Sequence, residues 1–126
     1  MSLSQLFAKA KDAAPGVAII KDSQRNLILN KVADAITANT ALLIDANAQD
    51  LARMNPSNPL YDRLQLTPRR LEDIAADMRH VAQLPSPVGR TLEDRTLPNG
   101  LRLRRVSVPF GVVGVVYEAR PNVTFD

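Results

Sequence analysis

The chain has 126 residues, of which 45% are hydrophobic, enough for a domain of ordinary size with a core of its own. Sixteen basic residues face thirteen acidic ones, a net charge of +3. The signs interleave, with seven basic and six acidic residues in 1–66 and nine and seven in 67–126. A polyanion-binding protein concentrates its charge and adds aromatic side chains; three Phe, two Tyr and no Trp argue against nucleic acid as a partner. Cysteine is absent, which excludes disulfides, thiolate zinc sites and a cysteine nucleophile within this stretch. No apolar run reaches signal-peptide or membrane-span length, so the expectation is a cytoplasmic protein with no membrane partner.

Taken in chain order, Leu3, Leu6, Phe7 and Ala10 recur at helical spacing until Pro15-Gly16, which predicts a break. A second helix is expected to start at Ser23 as N-cap, to carry Ile28, Val32, Ala35 and Ile36 on its inner face, and to end near Asn39. "TALLIDANAQDLARM" predicts a third helix with Leu43 or Ile44, Ala48 and Leu51 inward, stopped by Pro56 and Pro59. Its Asp45, Asn47, Gln49 and Asp50 read as the wet side. "LTPRRLEDIAADMRHVAQLP" carries the clearest signals: Thr67 as N-cap, Pro68 at the first helical position, and Leu71, Ile74, Ala75 and Met78 as a buried stripe.

After Gly89 the period changes to that of strands. Two extended runs flank Pro98-Asn99-Gly100, a hairpin turn in which Asn-Gly supplies the positive backbone angles. Leu101 and Leu103 are odd, Val106 and Val108 even, so the inward face changes phase at Arg104-Arg105 and predicts a bulge or twist there. "GVVGVVY" has no polar face and predicts a strand covered on both sides, as in a parallel α/β sheet.

Ligands collect beyond the carboxyl ends of such strands, where Tyr117–Thr124 stands. Arg120 precedes a proline and is biased toward extended geometry, and Pro121 fixes the next φ. Asn122 has two readings, an amide aimed at a developing oxyanion or, with Thr124, a helix cap. Glu118 and Arg120 either hold a charged substrate or pair with each other at the surface. Gly111 and Gly114 lack a full dinucleotide-binding pattern. Asp73, Asp77 and His80 share a helix face, but without further His or Cys the expectation is no metal.

"VPFGVVGVVYEARPNVT", "DANAQDLA" and "YDRLQLTPRRLEDIAADMRHVAQLPSPVGR" resemble, in order, the helical region and the start of the cofactor domain of the gamma-glutamyl phosphate reductases (glutamate-5-semialdehyde dehydrogenases), members of the aldehyde dehydrogenase superfamily. The resemblance runs from about Asn26 onward and corresponds to about the first third of a family member. It implies an α/β, aldehyde-dehydrogenase-like fold: an N-terminal helical region over 1–88, an oligomerisation-type hairpin arm over 89–109, and over 110–126 the first strand of an NADP-binding domain.

The implied activity is NADPH-dependent reduction of L-glutamate 5-phosphate to glutamate 5-semialdehyde and phosphate, in proline biosynthesis, by a homo-oligomer. The family's nucleophilic cysteine lies outside this chain, so the segment alone is expected to be inactive. By the same resemblance Asn122 stabilises the oxyanion, and Glu118, Ala119, Arg120 and Pro121 lie beside the nicotinamide, with Arg120 also placed to meet a substrate anion. Arg-Pro stands here where the superfamily's usual loop has Pro-Trp. A rival reading of a different class is a non-catalytic helical interaction module with a hairpin arm.

Overall fold

The computed structural model describes residues 2–118 and 120–125. They form two compact units, one from Met1–Lys21 with Pro85–Gly114, the other from Asp22–Leu84 with Val115–Asp126.

In the first unit, helix α1 spans Leu3–Ala18. It opens with a capping box: Ser2 Oγ accepts from the Gln5 N–H at 3.3 Å, and Gln5 Oε1 accepts from the Ser2 N–H at 2.9 Å, satisfying two amides that the first turn leaves orphaned. The helix does not break at Pro15-Gly16 as the sequence predicts but runs through to Ala18. So close to the C-terminal end, proline removes one hydrogen bond from an already propagated helix, a local loss that leaves the preceding turns in place. No α1 residue is buried.

The same unit carries the predicted hairpin, β1 (Thr91–Thr96) paired antiparallel with β2 (Arg102–Val106). Gly100 supplies the left-handed residue of the turn at φ 84° and donates its N–H to Leu97 C=O at 2.9 Å, and Asn99 Oδ1 accepts from the Leu101 N–H at 3.1 Å. The register pairs Thr91 with Val106 but Glu93 with Arg105, which makes Leu92 an extra residue. The irregularity expected at Arg104-Arg105 thus sits on the opposite strand, where the change of phase in β2 is absorbed by a bulge in β1. Ser107 closes the base: its N–H donates to Arg90 C=O and its Oγ accepts from the Arg90 N–H, both at 3.0 Å.

"GVVGVVY" forms no strand. Gly111 adopts φ 89°, and Val112, Val113, Val115 and Val116 are exposed. No neighbouring strand lies beside this run among the described residues, and a strand is held by its ladder, not by β-propensity alone.

The second unit is helical. Helix α2 spans Asp22–Ala38, α3 Thr40–Leu51, the single turn α4 Tyr61–Leu64, and α5 Pro68–Val81. Ser23 is inside α2 and not its cap. The helix starts one residue earlier, with the Asp22 carboxylate in the first turn, where the helix dipole favours it, and bonded to Arg25 at 2.6 Å.

The inner face of α2 also differs from expectation. Ala33 and Ile36 are buried, with Leu29 half-buried one turn earlier, whereas Ile28 and Val32 are exposed. Apolar residues lie on more than one side of this helix, and its packing on α5 decides which side is used. Leu71 and Ala75 of α5 are buried, as is Ala33 of α2, and the two helices pack on each other. Arg79 of α5 bonds Asp34 of α2 at 2.8 Å on the rim of this contact.

In α3, Ala48 is exposed, and Asn47, expected on the wet side, is buried at 6% exposure. Its Nδ2 donates to Leu64 C=O at 2.9 Å and its Oδ1 accepts from the Leu66 N–H at 2.7 Å. Both ends of one amide therefore hold the segment joining α4 to α5. The α5 start is as predicted, with Thr67 Oγ1 accepting from the Arg70 N–H at 3.1 Å and Pro68 at the first helical position.

Replacing Asn47 by Ala strips two buried backbone groups of their partner and should destabilise the chain by about 1–3 kcal/mol in urea unfolding. Asn47→Asp, which keeps the acceptor but loses the donor, should not restore it. A loss below about 0.5 kcal/mol for Asn47→Ala, typical of a surface substitution, would remove the amide from this role.

In the hairpin, Arg102 binds Asp94 through Nε at 2.8 Å and Nη2 at 2.7 Å, with Arg104 at 3.6 Å. The Arg102 hydrogen bond foremost, aided by the charge of Arg104, holds the Asp94 carboxyl below its ordinary value, and Asp94 in turn raises Arg102. A depressed carboxyl favours the folded hairpin above the unfolded aspartate value and loses that contribution as pH falls through its folded value. An NMR titration should place the Asp94 midpoint below that of ordinary aspartate, and Arg102→Gln should return it. A midpoint indifferent to Arg102 would show that the pair is not the cause.

Candidate functional site

Arg120 stays out of the helical region, as a residue before proline does, but at φ −140° and ψ 84° it falls short of the fully extended geometry expected, and Pro121–Thr124 then makes one tight 3-10 turn. The Val123 N–H donates to Arg120 C=O at 3.0 Å and the Phe125 N–H to Asn122 C=O at 2.9 Å. The Tyr117 hydroxyl bonds the Thr124 hydroxyl across the turn, which leaves Thr124 engaged there instead of capping a helix. No side chain caps the turn; Arg120 holds that position.

Asn122 is half-buried, and its amide makes no hydrogen bond among the described residues. Glu118 and Arg120 are exposed and form no ion pair with each other or with any other described residue. Ala119 lies outside the described residues.

Arg120, Pro121 and Asn122 line a cavity of about 350 Å³ together with residues of α4, the α4–α5 connection and α5, among them Arg63, Asp73 and Asp77. A second cavity of about 350 Å³ shares Ile74, Asp77 and Asn122 and is otherwise apolar, with Leu29, Met78 and Phe125 in its wall. Asn122 therefore stands between a charged hollow and an apolar one.

The charged wall is built by Arg70. Its Nη1 donates to Asp62 C=O and Gln65 C=O, each at 2.6 Å, and its Nη2 reaches the Asp62 carboxylate at 3.0 and 3.1 Å. The planar fork bridges α5 to the α4 turn, and Asn47 of α3 holds the connection that follows that turn. Asp73 is engaged by Arg69 at 3.1 Å. Asp73, Asp77 and His80 share a face of α5, and among the described residues no three such groups converge as metal ligands.

The sequence marks out the Arg-Pro-Asn turn but does not connect it with Arg63, Arg70 or Asp77. Proximity across more than forty residues leaves no periodic signal; the nearest clue is the polar face of the "LTPRRLEDIAADM" helix.

A helical unit presenting a stiff Arg-Pro-Asn turn, and a unit carrying a charged hairpin, define the class as a mixed α/β chain. No family model matches it. It is 54% identical over 125 residues to gamma-glutamyl phosphate reductase of Bacteroides thetaiotaomicron, covering 99% of this chain and 30% of that protein. To the protein of the same name from Chlorobium phaeobacteroides it is 53% identical over 118 residues, 94% of this chain and 28% of the relative. The crystal structure of gamma-glutamyl phosphate reductase from Saccharomyces cerevisiae matches with a TM-score of 0.88 at 36% identity, covering 99% of this chain and 33% of that one. The Thermotoga maritima structure matches at 0.85 and 29%, covering 94% and 29%. The chain belongs to the gamma-glutamyl phosphate reductase family and spans about 30% of the length of these relatives.

Arg70→Gln should free the α4 turn, raising amide hydrogen exchange over residues 61–66 by about tenfold or more, since loss of even one of its charge-assisted hydrogen bonds, at about 1.5 kcal/mol, implies that factor. Unchanged protection there would show that Asn47 alone suffices.

Proposed function

We propose that this chain is part of an NADPH-dependent reductase that converts L-glutamate 5-phosphate to L-glutamate 5-semialdehyde and phosphate, in proline biosynthesis. The observation that carries the reading is 54% identity over 125 residues to a gamma-glutamyl phosphate reductase, which includes the "YEARPNVT" turn. The same reading gives the complete enzyme an aldehyde-dehydrogenase-like fold and a cytoplasmic, homo-oligomeric state. It divides this segment into a helical region over 1–88, an oligomerisation arm over 89–109 and the start of the NADP-binding domain over 110–126.

When bound, NADPH supplies the hydride. Glu118, Ala119, Arg120 and Pro121 would flank its nicotinamide end, chiefly through backbone, and Pro121 suits that place because its ring keeps the approach rigid. The chain has no cysteine, so the nucleophile of the reductase comes from beyond it, and by itself the segment is inactive. Its own contribution is polarisation and orientation. An asparagine amide with no hydrogen bond among the described residues can donate to an acyl oxygen as negative charge grows there, with no change in its own charge. The exposed Arg120 guanidinium, two residues away and without an ion pair among the described residues, can meet the departing phosphate.

In the complete reductase, Asn122→Ala should lower turnover by about a hundredfold or more while the affinity for NADPH stays the same. Turnover equal to that of the parent would assign Asn122 a structural role. Absence of any reduction of L-glutamate 5-phosphate by the parent enzyme would overturn the reading itself.

A further inference from the structure

The charged cavity beside Asn122 contains more ionic side chains than the acyl end of a substrate requires, and most of them are already engaged. Arg70 and Asp62 satisfy each other, and Asp73 is held by Arg69 at 3.1 Å. Among the charged residues lining the cavity, Arg63, Asp77 and Arg120 have no ion pair with any described residue. Arg120 belongs to the turn that carries Asn122. The free charges that remain are therefore one cation on α4 and one anion on α5.

We propose that Arg63 and Asp77 form a subsite for the zwitterionic head of an α-amino acid, Asp77 accepting from its ammonium group and Arg63 donating to its α-carboxylate. The inference rests on the reductase reading, which places the acyl carbon at Asn122. Asp77 lines both hollows next to Asn122, within reach of a short chain whose other end is the reacting carbon. A volume of about 350 Å³ lies within the range of small-molecule sites. The wall bearing Arg63 is held by the Asn47 amide and the Arg70 fork, so the cation is presented from a fixed turn. A site that spends charged groups on a substrate's NH and carboxylate discriminates against analogues lacking them, because those groups are then left unmatched.

The test uses the complete reductase in the oxidising direction, where aldehyde, phosphate and NADP give acyl phosphate, NADPH and a proton. Three aldehydes are compared: L-glutamate 5-semialdehyde, 5-oxopentanoate, which lacks the ammonium, and 4-aminobutanal, which lacks the carboxylate. Asp77→Asn should lower the kcat/KM preference for the semialdehyde over 5-oxopentanoate by about tenfold, with its preference over 4-aminobutanal kept. Arg63→Gln should do the reverse. Ratios within one variant do not depend on how much of it is folded. If the parent enzyme oxidises the semialdehyde and neither variant changes either ratio, the subsite is overturned and the reductase reading stands. If the parent enzyme does not oxidise the semialdehyde, the reductase reading falls and the subsite with it.

Discussion

The helical unit depends on one buried amide. Asn47 projects from α3 and uses its donor on Leu64 and its acceptor on Leu66, two backbone groups either side of Gln65. A buried polar side chain is tolerable only when its hydrogen bonds are made, and here both ends of the amide are satisfied by the same short connection. Its conformation is thereby set, with Gln65 at φ −68° and ψ 125°. From that point the chain enters Thr67, whose hydroxyl caps α5, and the first turn of α5 delivers Arg70 back onto Asp62 and Gln65. Each step positions the next, and the wall of the charged cavity is the result.

The second support is close packing between α2 and α5. Ala33 at 0%, Ala75 at 1% and Leu71 at 0% exposure are the most deeply buried side chains of these two helices, two of them small and one large. Such an arrangement is sensitive to rotation: turning α2 by one residue would replace Ala33 with Val32 or Asp34. That sensitivity explains why the inner face of α2 is poorly written in its own pattern. Apolar side chains at 27, 28, 29, 32, 33, 35 and 36 permit more than one stripe, and size complementarity with α5, not hydrophobicity, selects among them.

Features set by local chemistry were legible in the sequence. The Thr67-Pro68 start of α5, its Leu71 and Ala75 stripe and the Asn99-Gly100 turn of the hairpin each follow from neighbours within a few residues. Features set by distant partners were not. Asn47 resembles its polar neighbours Asp45 and Gln49 until residues 64 and 66 are folded against it. Pro15 looks like a stop signal, yet a helix already capped at Ser2 and three turns long tolerates it. At the candidate site, the chemistry of the Arg-Pro-Asn turn was legible, whereas its juxtaposition with Arg63 and Asp77 required the tertiary fold.

The contrast between the valine run and the turn that follows it carries the same lesson to function. Val112 to Val116 have strong β-propensity and no strand, because a ladder is a property of at least two segments. Arg120 to Thr124 hold their geometry without such help: a pre-proline residue, a fixed proline φ, two short backbone hydrogen bonds and the Tyr117–Thr124 contact are all local. The groups proposed to act on substrate thus reside in a turn whose shape does not depend on the sheet expected to precede it. The backbone that carries Asn122 is fixed within its own turn, and a scaffold set before charge develops is what an oxyanion donor requires.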